Sequence, residues 1–491
     1  MTTAVSPSAT VSQVGIQTEF TTANQTSSPL LPQAIYVMGQ GNTGIAYVSD
    51  SIKINSAAQV ATKYGNGSPL HLAAKAIHGL TNAKVPVYFY GLQEDGAAVA
   101  ASHNLIISGS QTVTAEYQVV INNIKSNKFS LLATDTASTA GDKLAAAVNA
   151  TLGYPVGAIN AVGTITLTAK SKGSWGNELY ADIMDGKGGF VFAGVAVKFT
   201  SGASNANVQP ALSAIEDSAY RTVLVNTFDM SDSTALDAIK EKGEARWLPT
   251  IKKPFISFVG SNADTTTAIT AITATRALDK INAVFANPSS HDLPLIISSS
   301  IAKYVAEKAN TSPAENYAGA LSQLTPGAIE WTLADKEDAK TQGVGFVRIV
   351  SGAVKIHEVV SMFDDSQYAE ISMPFRKVSD ITRLQNVMYA LDLKLSTDFY
   401  KESALVDVGQ IVAAGVQAVS VKDVKAAVVE VVKSLVVKAI LTNQAGILAN
   451  LIVAKDSTNA DRVNIQLPTI VSSNTSIFSI DVGYQFNTGA E

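Results

Sequence analysis

The sequence predicts a multidomain protein of α/β and α+β class. Three features predict it: an α/β pattern that begins at residue 33, is interrupted and resumes near residue 208; a β-rich stretch between its two parts; and a C-terminal region of two amphipathic helices, a hairpin and an alternating strand. The 491 residues exceed the roughly 250–300 residues at which single cores stop growing, so we expect two to four domains.

The interrupted α/β domain is predicted from short apolar runs that alternate with helical patterns. Its first part has strands at 34–38 and 85–90, with helices at 56–64 and 69–77 between them. This β-α-α-β order favours an α/β layer. After the interruption the pattern resumes, with strands predicted at 222–225, 254–259 and 295–298 and helices at 212–218, 234–243, 271–285 and 301–309.

Residues 95–207 differ in character from the sequence on either side. Residues 112–121 and 163–169 alternate between apolar and polar side chains as strands do, and residues 141–150 have the pattern of one short helix. Glycine becomes frequent around 186–194. We interpret the stretch as a β-rich domain inserted into the α/β domain.

Each end of the chain contains an alternating segment. Because successive side chains of a strand point to opposite faces, a strand at 476–487 has one wholly apolar face. No Asn-Gly turn follows it, so it must pair with an earlier part of the chain or with another chain. The alternating positions are Phe478, Ile480, Val482, Tyr484 and Phe486 in the C-terminal segment, and Val14, Ile16 and Thr18 in the N-terminal segment.

Pairing with the chain's own sheet and pairing with a neighbouring subunit imply different functions. Five such side chains are worth roughly 1.5–3 kcal/mol each when buried, whereas ordering about ten residues costs on the order of 1–2 kcal/mol apiece. The net gain of a single contact is modest, so strand donation is most effective where many copies repeat it. The pattern alone leaves both interpretations open.

Composition argues against several classes of function. The net charge is −5 and the pI about 5.7, without the clustered Lys and Arg of a nucleic-acid-binding surface. Cysteine is absent, so there is no disulfide, thiol nucleophile or thiolate metal site. The first residues lack a basic and apolar leader, and the most apolar region, 435–454, is interrupted by polar residues such as Lys438. We expect synthesis in the cytoplasm and no membrane insertion.

Residues 39–44 form a G-x-G-x-x-G pattern directly after a predicted strand. A dinucleotide site needs a helix at that turn and an acidic residue about twenty positions later. The following residues, 45–54, are extended in character, and no G-x-x-x-x-G-K-[ST] motif occurs. We interpret the motif as a glycine-rich turn and predict no cofactor.

The sequence shows no arrangement typical of catalysis or metal binding. Among its 5 histidines, His71 and His78 lie near one face of a predicted helix, but that helix has no acidic residue and no H-E-x-x-H pattern. A packed or surface pair of histidines is the favoured interpretation. We expect no metal and no enzymatic activity.

The last long predicted helix carries three lysines on one side. Ser420 and Asp423 have the spacing of a capping box at its start. Lys422, Lys425 and Lys433 fall within about 80° of one another at 100° per residue. A solvated face is the simpler interpretation, and a basic strip against an acidic partner surface is the alternative.

Taken in order, these segments resemble the tail sheath proteins of contractile-tailed, Mu-like bacteriophages. The resemblance covers most of the chain, and its most specific part is the ending R-V-x-I-x-L-P followed by an alternating strand. The helix predicted at 380–401 lacks the Arg- and Trp-rich composition common in the family, so no tube contact is inferred there. The resemblance rests on residues 34–41, 54–65, 85–90, 163–169, 173–177, 461–468 and 477–486.

The resemblance implies a homo-oligomer whose subunits stack as six-fold rings around a tail tube, with terminal arms that add strands to a neighbour's C-terminal sheet. It implies contacts with tail tube, baseplate and tail terminator proteins, and none with nucleic acid. The helix with Lys422, Lys425 and Lys433 is the candidate tube-facing element. The implied division is 1–32 as an N-terminal arm, 33–94 and 208–375 as the sheath α/β domain, 95–207 as an inserted protruding domain, 376–475 as a C-terminal α+β domain, and 476–491 as a C-terminal strand arm.

Other functions remain open at this point. The sheath of a contractile injection system, of a type VI-like secretion machine or of a tailocin has the same features. A surface adhesin shares the low content of charged residues, 16%, although no signal peptide is apparent. A nucleotide-dependent enzyme is the least favoured.

Overall fold

The computed structural model describes residues 29–184, 189–364, 375–399 and 403–473. The chain divides into two compact units. Of the described residues, one unit holds Leu30–Tyr389 with 470–473, and the other holds Pro29 with Ala390–Thr469. Within the described ranges, no helix is both long and apolar enough to cross a membrane.

The larger unit begins with the predicted β-α-α-β order and one additional short strand. Its elements are β1 (Ile35–Gln40), β2 (Ser51–Lys53), α1 (Ala57–Tyr64), α2 (Pro69–His78) and β3 (Val87–Leu92). Ser56 and Ser68 each accept a backbone hydrogen bond at the start of a helix, which satisfies one N–H of the first turn. Gly65, with φ of 96°, ends α1 in a conformation that favours glycine.

Residues 102–198 form two antiparallel sheets of their own. The elements are β4 (Ser102–Gly109), β5 (Ala115–Ile121), β6 (Ile124–Lys125), β7 (Phe129–Leu131), α3 (Ala137–Ala150), β8 (Val156–Ala161), β9 (Thr164–Ala169), β10 (Tyr180–Met184), β11 (Phe190–Ala193) and β12 (Val197–Lys198). One sheet has the order β12-β10-β5-β6 with β7 beside β5, and the other has the order β11-β4-β9-β8. The helix α3 begins before the predicted residue 141 because Thr136 and Thr139 form a capping box.

After this stretch the chain returns to the sheet in which it began. The elements are α4 (Gln209–Ser213), β13 (Val223–Asn226), α5 (Ser233–Trp247), β14 (Ile256–Ser261), α6 (Thr266–Thr273), β15 (Asn282–Ala286), α7 (Pro294–Thr311), α8 (Leu333–Thr341), β16 (Val344–Val350) and β17 (Ala353–Glu358). The sheet has the order β17-β16-β15-β14-β13-β1-β3-β2. Its β1 lies between β3 and β13 and is parallel to both, so two parts distant in sequence share one sheet.

Helices cover both faces of this sheet. Ile35 and Val37 of β1 belong to an apolar cluster that includes side chains of α2 and α7. The alternate residues Tyr36 and Met38 belong to a second cluster, with side chains of α4 and α5. Parallel sheets are buried on both faces in this way, and their strands are apolar throughout.

Three predictions for this part of the chain are wrong. The helix predicted at 212–218 lies earlier, because Pro210 occupies the first turn of α4 and the helix ends at Ser213. The helix predicted at 271–285 is absent, because α6 ends at Thr273 and residues 282–286 form the fully buried strand β15. The strand predicted at 295–298 is the start of α7, where Pro294 occupies the first turn. Short apolar runs buried on all sides have no periodicity that distinguishes a strand from a helix.

The remaining elements follow β17. They are α9 (Val378–Asp398), β18 (Ala404–Leu405), β19 (Ala418–Val419), α10 (Val421–Val437), α11 (Gln444–Ala449), β20 (Ile452–Lys455) and β21 (Val463–Gln466). The predicted capping box of Ser420 and Asp423 begins α10, and β20 and β21 form the predicted hairpin. The bounds of the domains given above stay predictions.

Candidate assembly surfaces

The glycine-rich turn after β1 is filled by the protein's own side chains. No helix begins at residues 41–50, which lead to β2. The Tyr47 ring lies where a side chain on Gly41 or Gly91 would stand, and its hydroxyl accepts a hydrogen bond from the Gly41 N–H at 3.4 Å. Ser171 covers the same turn, since its Oγ donates to the Gly41 carbonyl at 2.8 Å. This geometry fits a packed turn and does not fit a dinucleotide, which needs a helix N-terminus there.

His71 and His78 are packed residues of α2. Nδ1 of His71 accepts a hydrogen bond from the Gly67 N–H at 2.9 Å. Burial, together with the charges of Lys75 and Lys170, lowers the pKa of His71 to about 4. Burial also lowers the pKa of His78. Across the described part of the chain, no three His, Cys, Asp or Glu residues come together in a way that could hold a metal ion.

Lys422, Lys425 and Lys433 are exposed on α10, as the helical spacing predicts. Glu430 of the same helix pairs with Lys394 of α9 at 2.9 Å. Because all three lysines are exposed, the strip that they form can face solvent or a partner. Its contact with a tube stays a prediction. The opposite side of α10 is buried and consists of Val424, Ala427, Val428, Val431, Val432 and Leu435.

The hairpin β20–β21 is fixed by its turn. Asp456 accepts hydrogen bonds from the N–H and hydroxyl of Thr458, from the N–H of Asn459 and from Nδ2 of Asn464, at 2.7 to 3.0 Å. These bonds, that from Asn464 foremost, lower the pKa of the Asp456 carboxyl. The ionised carboxylate therefore holds the turn that sets the register of the hairpin.

This hairpin has only two strands among the described residues. Among the described residues, β20 and β21 pair only with each other. Ile452 is 56% exposed, and the residues of β21 alternate between half-buried and exposed. A two-stranded hairpin is marginally stable in water, and its outer edges present unpaired N–H and C=O groups. Each of the two edges can therefore accept a further strand.

The segments predicted to be donated lie outside the described residues, so their pairing stays a prediction. These positions are Val14, Ile16 and Thr18 at one end and Phe478, Ile480, Val482, Tyr484 and Phe486 at the other.

The structure does describe the chain next to both segments, and here the sequence reasoning missed two residues. The N–H of Leu31 donates to Oδ1 of Asn386 at 2.9 Å, and Nη1 of Arg383 donates to the Ser472 carbonyl at 2.7 Å. Arg383 and Asn386 are 0% and 2% exposed on α9. The available signal was an Arg and an Asn beside the apolar stripe of an amphipathic helix, where polar residues are buried only with partners.

Comparison with known proteins shows which fold the chain has. The sheath of an extracellular contractile injection system, solved in the contracted state, matches with a TM-score of 0.50 and 10% identity over 97% of this chain and 99% of that chain. The chain therefore has the fold of a contractile sheath subunit. A sheath tail protein from Listeria innocua matches with a TM-score of 0.49 and 13% identity over 91% of this chain and 94% of that one.

The chain is also similar in sequence to a curated protein. The tail sheath protein of the Mu-like prophage FluMu of Haemophilus influenzae is 23% identical over 434 residues, which are 86% of this chain and 86% of the relative. No family model matches the chain. The resemblance to the tail sheath proteins of contractile phages is thereby confirmed.

Proposed function

We propose that the chain is the structural subunit of a contractile phage tail sheath. Many copies form six-fold rings that stack helically around a tail tube, and donated terminal β-strands link neighbouring subunits. Contraction drives the tube through the envelope of a host cell. The protein is a component of the virion, made in the host cytoplasm, and it acts without catalysis or nucleotide. Its similarity to a phage tail sheath protein supports the proposal.

The observation that carries the proposal is the β20–β21 hairpin, to which the described part of the chain adds no further strand. Two strands with open edges gain stability from further strands, and the chain has alternating segments at 13–20 and 476–487 with the pattern to supply them. Strand addition provides main-chain hydrogen bonds for affinity and side-chain pockets for register. One accepting sheet and two donor segments in each subunit suffice to link every copy to its neighbours.

The remaining partners follow from the same assembly. The tail tube protein lies inside the rings, and the strip of Lys422, Lys425 and Lys433 meets an acidic surface on it. Charges on exposed side chains are screened within about 8 Å at physiological salt, so this strip acts only in close contact. The two ends of the sheath contact the baseplate and the tail terminator protein.

Removal of residues 477–491 tests strand donation. The truncated chain is expected to remain soluble and folded, because the eight-stranded sheet lies outside the deletion, and to form no helical tubes in electron microscopy. In the full chain, Val482→Asp is expected to act similarly, because it places an unpaired charge in an apolar groove. Ser479→Asp, on the polar face of the same predicted strand, is the matched control and should still polymerise.

Thermal unfolding of each variant separates failed assembly from failed folding. Tubes formed by the truncated chain contradict strand donation. So does an equal loss of polymerisation in Val482→Asp and Ser479→Asp, because donation requires the two faces of the strand to differ.

The alternatives have their own tests. Neighbouring genes distinguish a phage tail from an injection system, a type VI-like machine or a tailocin. A surface adhesin is not favoured, since the relatives reported above are sheath proteins. Labelling the surface of intact producing cells would detect an adhesin.

A further inference from the structure

The end of the predicted N-terminal arm and the residue that follows it are tied to two helices. The Leu31 N–H donates to Oδ1 of Asn386 on α9 at 2.9 Å, and the Gln33 N–H donates to Oδ1 of Asn310 on α7 at 3.3 Å. The Leu31 side chain is 3% exposed, so apolar packing accompanies these bonds. Two backbone N–H groups therefore find side-chain acceptors where a strand would offer carbonyls.

The chain that precedes the predicted C-terminal arm is tied to the same helix. Nη1 of Arg383 donates to the Ser472 carbonyl at 2.7 Å and to Oδ1 of Asp380 at 2.5 Å, and Nη2 donates to the Ala314 carbonyl. Arg383 is completely buried, and a buried guanidinium is tolerated only with such partners. Burial raises the pKa of Asp380, and the Arg383 charge opposes that shift.

The two attachment points lie on one turn of α9. Arg383 and Asn386 are three residues apart, which places them on the same side of the helix. Asn386 is itself fixed, because its Nδ2 donates to the Thr382 carbonyl at 2.8 Å. The Thr382 hydroxyl is in turn hydrogen-bonded to the Tyr317 hydroxyl at 2.8 Å. A buried polar cluster thus holds both pieces of backbone.

We propose that this turn of α9, defined by Arg383 and Asn386 and called the arm anchor below, holds the roots of both terminal segments at one point of each subunit. Its part in transmitting load rests on the function proposed above. When strands are donated, the mechanical forces exerted by both neighbouring subunits act on the arm anchor. The arms can then change direction during contraction while their origins stay a fixed distance apart. Arg383 and Asn386 are positioning residues that act through Ser472 and Leu31.

Hydrogen exchange in the dilute, unassembled full chain tests the anchor without any assembly. In Asn386→Leu the Leu31 amide loses its acceptor and is expected to exchange at least about tenfold faster than in the wild type. In Arg383→Met the same increase is expected for the peptide that covers 470–473.

The matched control is Arg246→Met. Arg246 is also 0% exposed and also donates to backbone carbonyls, those of Lys253, Glu216 and Ala219. It therefore reproduces the general cost of losing a buried guanidinium. Exchange at Leu31 and at 470–473 should stay at the wild-type rate in this control.

A distance measurement tests whether the two origins are held together. The chain has no cysteine, so Leu30→Cys and Ser473→Cys can carry a pair of spin labels without other changes. The distribution of label distances is expected to be narrow in the wild type, at least about twofold wider in Arg383→Met and in Asn386→Leu, and unchanged in Arg246→Met. Arg383→Lys, which keeps the charge but lacks the planar fork, should give an intermediate width even where the methionine variant folds poorly.

Unchanged exchange and unchanged label distances in both anchor variants overturn the arm anchor, whatever the polymers do. Loss of protection in these variants, combined with tubes that form without the terminal segments, keeps the anchor and rejects strand donation. The two proposals therefore fail separately.

Discussion

The eight-stranded sheet and the β20–β21 hairpin use strands in opposite ways. In the sheet, β1 has a partner on each side, and every residue of β14 and β15 is buried. In the hairpin no residue is fully buried, and neither strand has a second partner among the described residues. The central strands of the sheet find both partners within one chain, whereas each hairpin strand keeps one edge without a partner among the described residues. We therefore expect stability and assembly to depend on different parts of the molecule.

The largest expected effect comes from the core of the sheet. Phe258 of β14 is 0% exposed, and Phe258→Ala is expected to lower the free energy of unfolding by about 3–5 kcal/mol, because it leaves a cavity. In the hairpin, Ile465→Ala at a half-buried position should cost less than about 1 kcal/mol in the unassembled protein and should still reduce tube formation. Chemical denaturation of both variants measures this contrast. Equal losses of unfolding free energy in the two variants would contradict the difference between the sheet and the hairpin.

Acid is expected to destabilise the larger unit, which contains His71 and is called the body below, before it affects the hairpin turn. The pKa of His71 is lowered from 6.5 to about 4 in the folded state, so the unfolded chain binds more protons between these values. Its contribution is complete above pH 6.5 and is lost as the pH falls through 4, by about 3 kcal/mol at roughly 1.36 kcal/mol per pKa unit. The check is thermal unfolding from pH 7.5 to 4. His71→Asn keeps an acceptor for Gly67 and should flatten the dependence.

The hairpin supplies the control for this experiment. The pKa of Asp456 is lowered below its ordinary value of 3.8, so its contribution is present above pH 3.8 and is lost only as the pH falls below that value. Exchange protection of residues 452–466 should therefore stay constant between pH 6.5 and 4, after correction for the intrinsic pH dependence of exchange. A loss of protection there in step with the body contradicts the independence of the two regions.

Features that depend on residues three or four apart could be predicted from the sequence. The capping box of Ser420 and Asp423 and the exposed strip of lysines on α10 are of this kind, because helix geometry alone determines them. Strand β15 and the start of α7 could not be predicted, since apolar side chains on all sides remove the periodicity. Contacts with neighbouring elements of the fold determine the secondary structure of both segments.

The arm anchor could not be predicted from the sequence for a different reason. Asn386 and Leu31 are 355 positions apart, and Arg383 and Ser472 are 89 positions apart. Local periodicity carries no information about such pairs, whose partners are backbone groups that every residue has. The sequence could indicate only that two polar residues border the buried stripe of α9.

The smallest effect on the body is expected from Asp456→Ala, which removes the acceptor that holds the hairpin turn. The midpoint of thermal unfolding of the body should not change, whereas amides in 452–466 should exchange faster. Tubes should form only at higher protein concentration, because a loosened hairpin must be ordered when a strand is added, and that ordering opposes binding. The exposed Asp461 in the same turn provides the control Asp461→Ala. If Asp456→Ala loosens the hairpin and still assembles at the same protein concentration as Asp461→Ala and the wild type, the accepting sheet lies elsewhere in the chain.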